Sequence, residues 1–225
     1  MKTYRLFDVL GPTMIGPSSS HTAGAVKLGR VARALSVTEI KKVEFRLHGS
    51  FAMTYKGHGT DRALLAGLMG FATWSEDIKN ALEIATDRGI EYDFIPIDLG
   101  DVHPNTVRIV VTDDKGAMVS LTGSSIGGGN IQITAINRDQ VNFTGDYPTL
   151  IVGHTDIRGV IAKVTNALSE GQINIAFMKV FRSSRGRGAT MVFETDEPVT
   201  QDVIDAVKVM PGIDMVSYLN LQEVE

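Results

Sequence analysis

The sequence contains no cysteine. This absence excludes disulfide bonds, thiol nucleophiles, zinc–thiolate sites and iron–sulfur ligation by this chain alone. No segment approaches the roughly 20 consecutive apolar residues of a membrane-spanning helix. The segment from Met1 to Asp8 also lacks the apolar run of a signal peptide. We therefore expect a soluble cytoplasmic protein with no membrane partner.

An excess of charge of one sign is also missing. The chain has 22 basic and 26 acidic residues, a formal net charge of -4. The basic residues are scattered, apart from the short group Arg182, Arg185 and Arg187. Nucleic acid is therefore not expected as a partner. With 225 residues and 43% hydrophobic content, the chain can form one large or two small folded domains.

The first part of the chain mixes two kinds of apolar spacing. Alternating apolar and polar residues predict strands beginning at Ile40 and over residues 106–111 and 130–135. Apolar residues three and four apart predict helices near 21–35 and 60–71. We therefore expect a mixed α/β domain over residues 1–146.

A second domain is predicted over residues 147–225, after a turn-rich boundary at 144–148. Its expected order is strand, helix, two strands, helix and strand, which is the βαββαβ pattern of ferredoxin-like folds. The predicted ranges are 149–153, 158–170, 173–181, 189–195, 200–209 and 213–221. A polar hairpin loop is expected at 183–188. The fold class of the whole chain is thus α+β.

Five polar residues lie at the start of the first predicted helix: Ser18, Ser19, Ser20, His21 and Thr22. Hydroxyls and backbone N–H groups at a helix N-terminus attract carboxylates and phosphates. Capping of the helix by Ser19 or Ser20 is the simpler alternative. Because a cap requires one such residue and not five, we favour an anion-binding site.

Two further histidines lie on segments that suit chemistry. His58 is flanked by Gly57 and Gly59, which predicts an open turn where a substrate can approach the ring. His103 precedes Pro104, which favours an extended backbone and a defined side-chain direction. For each histidine, a solvent-exposed loop residue without a catalytic role is the alternative.

Two glycine-containing segments are weaker candidates. Gly123–Asn130 resembles a phosphate-binding loop but lacks the Lys-Ser or Lys-Thr pair of a P-loop, so a hairpin loop is expected there. In the second domain, Asp156, Ile157, Arg158 and Gly159 connect a strand to a helix. Backbone amides and Asp156 at this turn could hold the ammonium and carboxylate of an amino acid.

Three motifs together resemble the beta chain of iron–sulfur-dependent L-serine dehydratases. They are the segment from Gly16 to Ala25 (GPSSSHTAGA), the segment from Gly57 to Asp61 (GHGTD) and His103-Pro104-Asn105. The remaining third of the chain resembles an ACT domain, a βαββαβ module that binds small effectors. The first domain is also similar to the allosteric substrate-binding domain of some phosphoglycerate dehydrogenases, which performs no chemistry.

The resemblance implies a division of labour between two chains. A separate alpha chain would provide the cysteines for a 4Fe–4S cluster, in which one iron acts as a Lewis acid on the hydroxyl of L-serine. Ser18, Ser19, Ser20, His21 and Thr22 then match a substrate-carboxylate site. His58 and His103 match the histidines proposed for catalysis, with His58 favoured for proton transfer.

The resemblance also implies which partners this chain has. The expected partners are the alpha chain, L-serine and a second copy of this chain through the ACT domain. No metal ligands are expected in this chain itself. Two alternatives remain. A purely regulatory amino-acid sensor makes no use of His58 and His103, and a scaffold subunit leaves the serine–histidine segment unexplained.

Overall fold

A computed structural model describes residues 13–36, 38–182 and 187–222. The internal contacts divide the chain into two compact units between residues 137 and 138. The boundary that the sequence predicts, between residues 146 and 147, stays a prediction. In the described part of the chain, no helix has the length and apolar character needed to cross a membrane.

The described residues of the first unit form four α-helices and five strands. The helices are α1 (Ala23–Leu35), α2 (Gly49–His58), α3 (Thr60–Leu68) and α4 (Ala81–Asp87). The strands are β1 (Ile40–Leu47), β2 (Glu91–Pro96), β3 (Thr106–Asp113), β4 (Met118–Gly127) and β5 (Asn130–Ile136). The three strands and two helices predicted from residue spacing are confirmed within a few residues at their ends.

Within the first unit, the sheet has the strand order β2-β1-β3-β4-β5. β1 pairs with β2 in parallel, whereas β1–β3, β3–β4 and β4–β5 are antiparallel. α1 packs on α3 and on β4. Its apolar stripe is buried, as the spacing predicts.

Two local predictions are wrong. Gly123–Asn130 is not a loop over its whole length, because β4 continues to Gly127. Ser124 and Ser125 pair with β5 and are buried, so sheet pairing and burial outweigh the weak strand preference of Gly and Ser. His58 is not on an open turn but is the last residue of α2. Phe51 is the one buried residue of α2. The helix therefore has no apolar stripe, and residue spacing does not predict it.

After a short first strand, β6 (Asp139–Phe143), the second unit has the predicted βαββαβ order. Its elements are β7 (Thr149–Thr155), α5 (Val160–Glu170), β8 (Ile175–Arg182), β9 (Gly188–Thr195), α6 (Gln201–Lys208) and β10 (Ile213–Leu219). The antiparallel sheet has the order β10-β7-β9-β8. The apolar faces of both helices pack on it through residues such as Val152, Val164, Phe193 and Val207. The predicted hairpin loop at 183–188 lies mostly outside the described residues.

Candidate active site

The serine–histidine segment forms tight turns directly before α1. The Thr22 N–H donates to the Ser18 carbonyl at 2.8 Å, and the Gly24 N–H donates to the Ser19 carbonyl at 2.9 Å. Thr22 occupies the N-cap position, and no side chain caps the helix. Capping therefore does not explain Ser19 or Ser20, and no described residue hydrogen-bonds to either hydroxyl.

His21 is buried and lies between two hydroxyl groups. Its Nδ1 is 3.4 Å from the Ser18 Oγ, and its Nε2 is 3.3 Å from the Ser50 Oγ. The backbone N–H of His21 also donates to the Ser18 Oγ at 3.3 Å. Both ring nitrogens thus have a hydroxyl within hydrogen-bonding reach. The Ser18 and Ser50 hydroxyls, on opposite sides of the ring, together define its orientation.

The His21 ring also contacts two aromatic rings of α2. The centroid of His58 lies 4.6 Å away at an interplanar angle of 83°, and that of Phe51 lies 5.3 Å away at 67°. Burial is the main cause that lowers the pKa of His21 from its ordinary value, and the nearby charge of His58 lowers this pKa further. His21 is therefore a neutral imidazole near pH 7, not a cation that binds an anion.

His58 is exposed and closes α2. The next residue, Gly59, has φ 70° and is the left-handed residue that ends the helix. Gly59 thus ends the helix, Gly57 lies in its last turn, and the His58 side chain is exposed to solvent. The structure brings the first and second motifs together through the contact between His21 and His58.

The third motif lies in the loop before β3, beside the start of α2. The Phe51 N–H points to the Pro104 carbonyl at 3.4 Å, and the Ser125 N–H donates to the Asn105 carbonyl at 3.0 Å. His103 is exposed, and its Nδ1 accepts the Asn105 N–H at 3.1 Å. Among the described residues, His103 makes no ring contact with His21 or His58.

Sequence reasoning missed Ser50 as a site residue. Ser50, Thr54 and His58 are four residues apart and share one face of α2. Recognising α2 as a helix would have revealed this face. His48 has structural partners, because its Nδ1 accepts the Leu99 N–H at 3.1 Å.

In the second unit, the predicted effector turn precedes α5. Asp156 forms an ion pair with Arg182, with 3.1 Å between Oδ2 and Nη1, and its N–H donates to the Arg187 carbonyl at 2.8 Å. Ile157, Arg158 and Gly159 are exposed. The carboxylate that was expected to hold an ammonium group is thus already paired with a guanidinium.

Within the described ranges, no three residues of the types His, Cys, Asp and Glu come together as metal ligands. The sequence has no cysteine, so the thiolate donors of a 4Fe–4S cluster are missing from this chain. The residues of this chain therefore do not fit such a cluster.

The fold, together with the contacts among Ser18, His21, Ser50 and His58, defines the class of protein. It is a two-unit α+β protein with an ACT domain in its second unit. The ACT domain model matches residues 148–212, and the model named serine dehydratase beta chain matches residues 6–94. The chain belongs to the family of serine dehydratase beta chains, a conclusion that rests on its long matches to two members.

The first of these relatives is the probable L-serine dehydratase, beta chain, of Bacillus subtilis (strain 168). It is 45% identical over 97% of this chain and 99% of its own length. The L-serine dehydratase, beta chain, of Peptoniphilus asaccharolyticus is 42% identical over 92% of this chain and 94% of its own length. The D-3-phosphoglycerate dehydrogenase of Archaeoglobus fulgidus is 28% identical over 88% of this chain but 37% of its own length.

Proposed function

We propose that this chain is the beta subunit of an L-serine dehydratase, which deaminates L-serine to pyruvate and ammonia. The catalytic unit would require an alpha subunit that holds a 4Fe–4S cluster. Similarity to two L-serine dehydratase beta chains over nearly their whole length supports this proposal. The observation that carries it in the structure is the 4.6 Å ring contact between His21 and His58, which joins two of the three motifs.

In this proposal, the reaction has two stages. Loss of the α-proton and of the hydroxyl as water converts L-serine to aminoacrylate, and water then converts the aminoacrylate to pyruvate and ammonia. His58 takes the α-proton, since it is an exposed imidazole in ring contact with His21. His103, on the neighbouring loop, is the second candidate for a catalytic histidine.

Substrate binding is assigned to the segment Ser18, Ser19, Ser20, His21 and Thr22. Because the Thr22 and Gly24 amides already bond within the segment, the carboxylate of L-serine would rely on the hydroxyls of Ser19 and Ser20. Neutral His21 supports the position of His58 instead of neutralising the carboxylate. The thiolate donors of a 4Fe–4S cluster would come from the alpha subunit, because this chain has no cysteine.

The test is anaerobic co-expression of this chain with its cysteine-bearing partner, followed by a pyruvate assay with L-serine. Each chain alone is the control. Pyruvate from the pair but from neither chain alone supports a shared active site. A cluster-loaded pair that makes no pyruvate would show that this chain is not a dehydratase subunit.

A purely regulatory amino-acid sensor is the second candidate function. The similarity to D-3-phosphoglycerate dehydrogenase supports it, because that match covers both units of this chain but little more than a third of the dehydrogenase. Calorimetric titration of this chain alone with L-serine separates the two functions. Tight serine binding together with an inactive pair would favour the sensor.

We also propose that the ACT domain binds an effector and pairs with a second copy. Asp156, Ile157, Arg158 and Gly159 would form the effector site, and β8 would lie at the interface. β8 is an edge strand, and its Phe177 side chain is 52% exposed. Light scattering over a range of protein concentrations tests the pairing, and a monomer throughout would contradict it. A cytoplasmic location stays a prediction.

A further inference from the structure

We propose that Ser50 is a positioning residue, which together with Ser18 fixes the His21 ring in its Nε2-protonated form and in one orientation against His58. The catalytic meaning of this assignment rests on the proposed function. The hydrogen-bond arrangement itself can be tested on this chain alone. Ser50 belongs to none of the three motifs, and it lies on the far side of the His21 ring from Ser18.

The first step concerns the proton of the Ser18 hydroxyl. A hydroxyl carries one proton and two acceptor lone pairs. The Ser18 Oγ accepts the backbone N–H of His21 at 3.3 Å, which leaves its own proton free. That proton can be donated to the Nδ1 of His21, which lies 3.4 Å from the same Oγ. Nδ1 is then an acceptor and carries no proton.

The second step concerns the other ring nitrogen. A neutral imidazole has one N–H, so an unprotonated Nδ1 places the proton on Nε2. Nε2 lies 3.3 Å from the Ser50 Oγ. Ser50 is therefore the acceptor, and its own hydroxyl proton stays available for another partner. The three residues form a directed series of hydrogen bonds from Ser18 through His21 to Ser50.

The third step concerns the charge of His21. The ring is buried, and burial lowers the pKa of His21. The titratable group in contact with the ring in the described residues is His58 of α2, whose charge lowers the same pKa. A neutral His21 can lie beside a protonated His58 without charge repulsion. The arrangement thus suits a reaction in which His58 accepts a proton.

The fourth step links Ser50 to His58. Both residues lie on one face of α2, and both contact the same ring of His21. Loss of the Ser50 hydroxyl leaves the Nε2–H of a buried ring without an acceptor, which is unfavourable. The ring can then relieve this cost by turning over or by moving its proton to Nδ1. Either change alters the surface that His21 presents to His58.

The first test is nitrogen-15 NMR of the histidine side chains in the full-length chain. Ser50→Ala removes the acceptor, Ser50→Thr retains a hydroxyl, and Ser169→Ala is a matched serine control on the exposed side of α5. A His21→Gln variant assigns the His21 signals. We expect one Nε2-protonated form in the unchanged chain, in Ser50→Thr and in Ser169→Ala, but a mixture of the two neutral forms in Ser50→Ala. Unchanged His21 signals in Ser50→Ala, or an Nδ1-protonated ring in the unchanged chain, would overturn the proposal.

The second test uses the same variants in the complex with the alpha chain. We expect Ser50→Ala to lower kcat for L-serine by about tenfold with a smaller change in KM, and Ser50→Thr to restore most of the loss. Altered NMR signals with an unchanged kcat would overturn the positioning role. If the unchanged complex makes no pyruvate, the proposed function fails instead, and the NMR result alone decides the assignment of Ser50.

Discussion

The backbone of Gly24 in α1 lies directly against the hydroxyl of Ser125 in β4. A β-carbon on residue 24 would be 2.1 Å from the Ser125 Oγ and 2.7 Å from its Cβ. Real atoms do not approach so closely, so residue 24 must be glycine for α1 to begin where it does. This contact fixes the position of the turn that carries His21.

Gly24→Ala should therefore destabilise the first unit. Because the Ser125 side chain is fully buried, it has little room to move away. We expect the free energy of unfolding to fall by about 1–3 kcal/mol, as in other overpacked cores. Chemical denaturation measures this change. Addition of Ser125→Gly to the same chain should recover part of the loss.

Gly57→Ala is the matched control for that experiment. Gly57 is also a helical glycine, but nothing lies within 4 Å of a β-carbon built on it. We expect its replacement to raise the free energy of unfolding by about 0.5–1 kcal/mol. An equal loss of stability in both variants would show that contact with Ser125 is not the cause.

His58→Ala should lower the turnover of the assembled enzyme by about 100-fold or more, because it removes the proposed proton acceptor. The chain should still fold and pair, since His58 is exposed. His103→Ala is the comparison, and we expect a smaller loss because His103 does not contact the His21 ring. Steady-state pyruvate assays with L-serine measure both. A larger loss in His103→Ala would reverse the two assignments.

Asp156→Ala should change the response to an effector or the pairing of subunits, and it should leave basal turnover nearly unchanged. The pair of Asp156 and Arg182 is partly exposed, so we expect a stability cost below about 1 kcal/mol. Asp205→Ala breaks an exposed contact with Lys208 in the same unit and serves as the control. A correctly assembled Asp156→Ala enzyme without activity would contradict the assignment of chemistry to the first unit.

Glu194→Gln should make the stability of the protein less dependent on pH. Burial is the main cause that raises the pKa of Glu194, against the opposing charge of Lys179. The pKa of Glu194 is therefore higher in the folded than in the unfolded chain. As the pH rises from the unfolded-state pKa through the folded-state pKa, the free energy of unfolding falls. We therefore expect Glu194→Gln to raise Tm near pH 7, where the buried carboxyl of the unchanged chain is most unfavourable.

The control for that measurement is Glu170→Gln, at the exposed end of α5. Its melting temperature should follow that of the unchanged chain at every pH. If Glu194→Gln retains the original decline of Tm between pH 4.5 and 7, burial of the Glu194 carboxyl does not cause that decline.

The second unit was the easier part to predict from the sequence. Val164 and Leu168 in α5, and Val203 and Val207 in α6, follow the helical repeat, and their burial confirms that pattern. Apolar spacing reports the side of an element that faces a core. It therefore locates elements that have one buried face, as both of these helices do.

The site in the first unit was predictable in its residue types but not in its geometry. α2 buries Phe51 alone, so residue spacing gives no sign of the helix that carries Ser50 and His58. The contact between His21 and His58 joins residues far apart in the chain, and local sequence patterns contain no information on such pairs. The contact of Ser125 with Gly24 was hidden for the same reason.

The weak burial of α2 has a consequence for local opening. α1 has nine buried residues, whereas α2 has Phe51 alone, near its first turn, and Met53 is 80% exposed. The amide hydrogens of the last turn of α2 should therefore exchange with solvent through local fraying, at a much lower free energy than those of α1. We therefore expect His58 to lie on a part of α2 that opens locally more readily than α1 does.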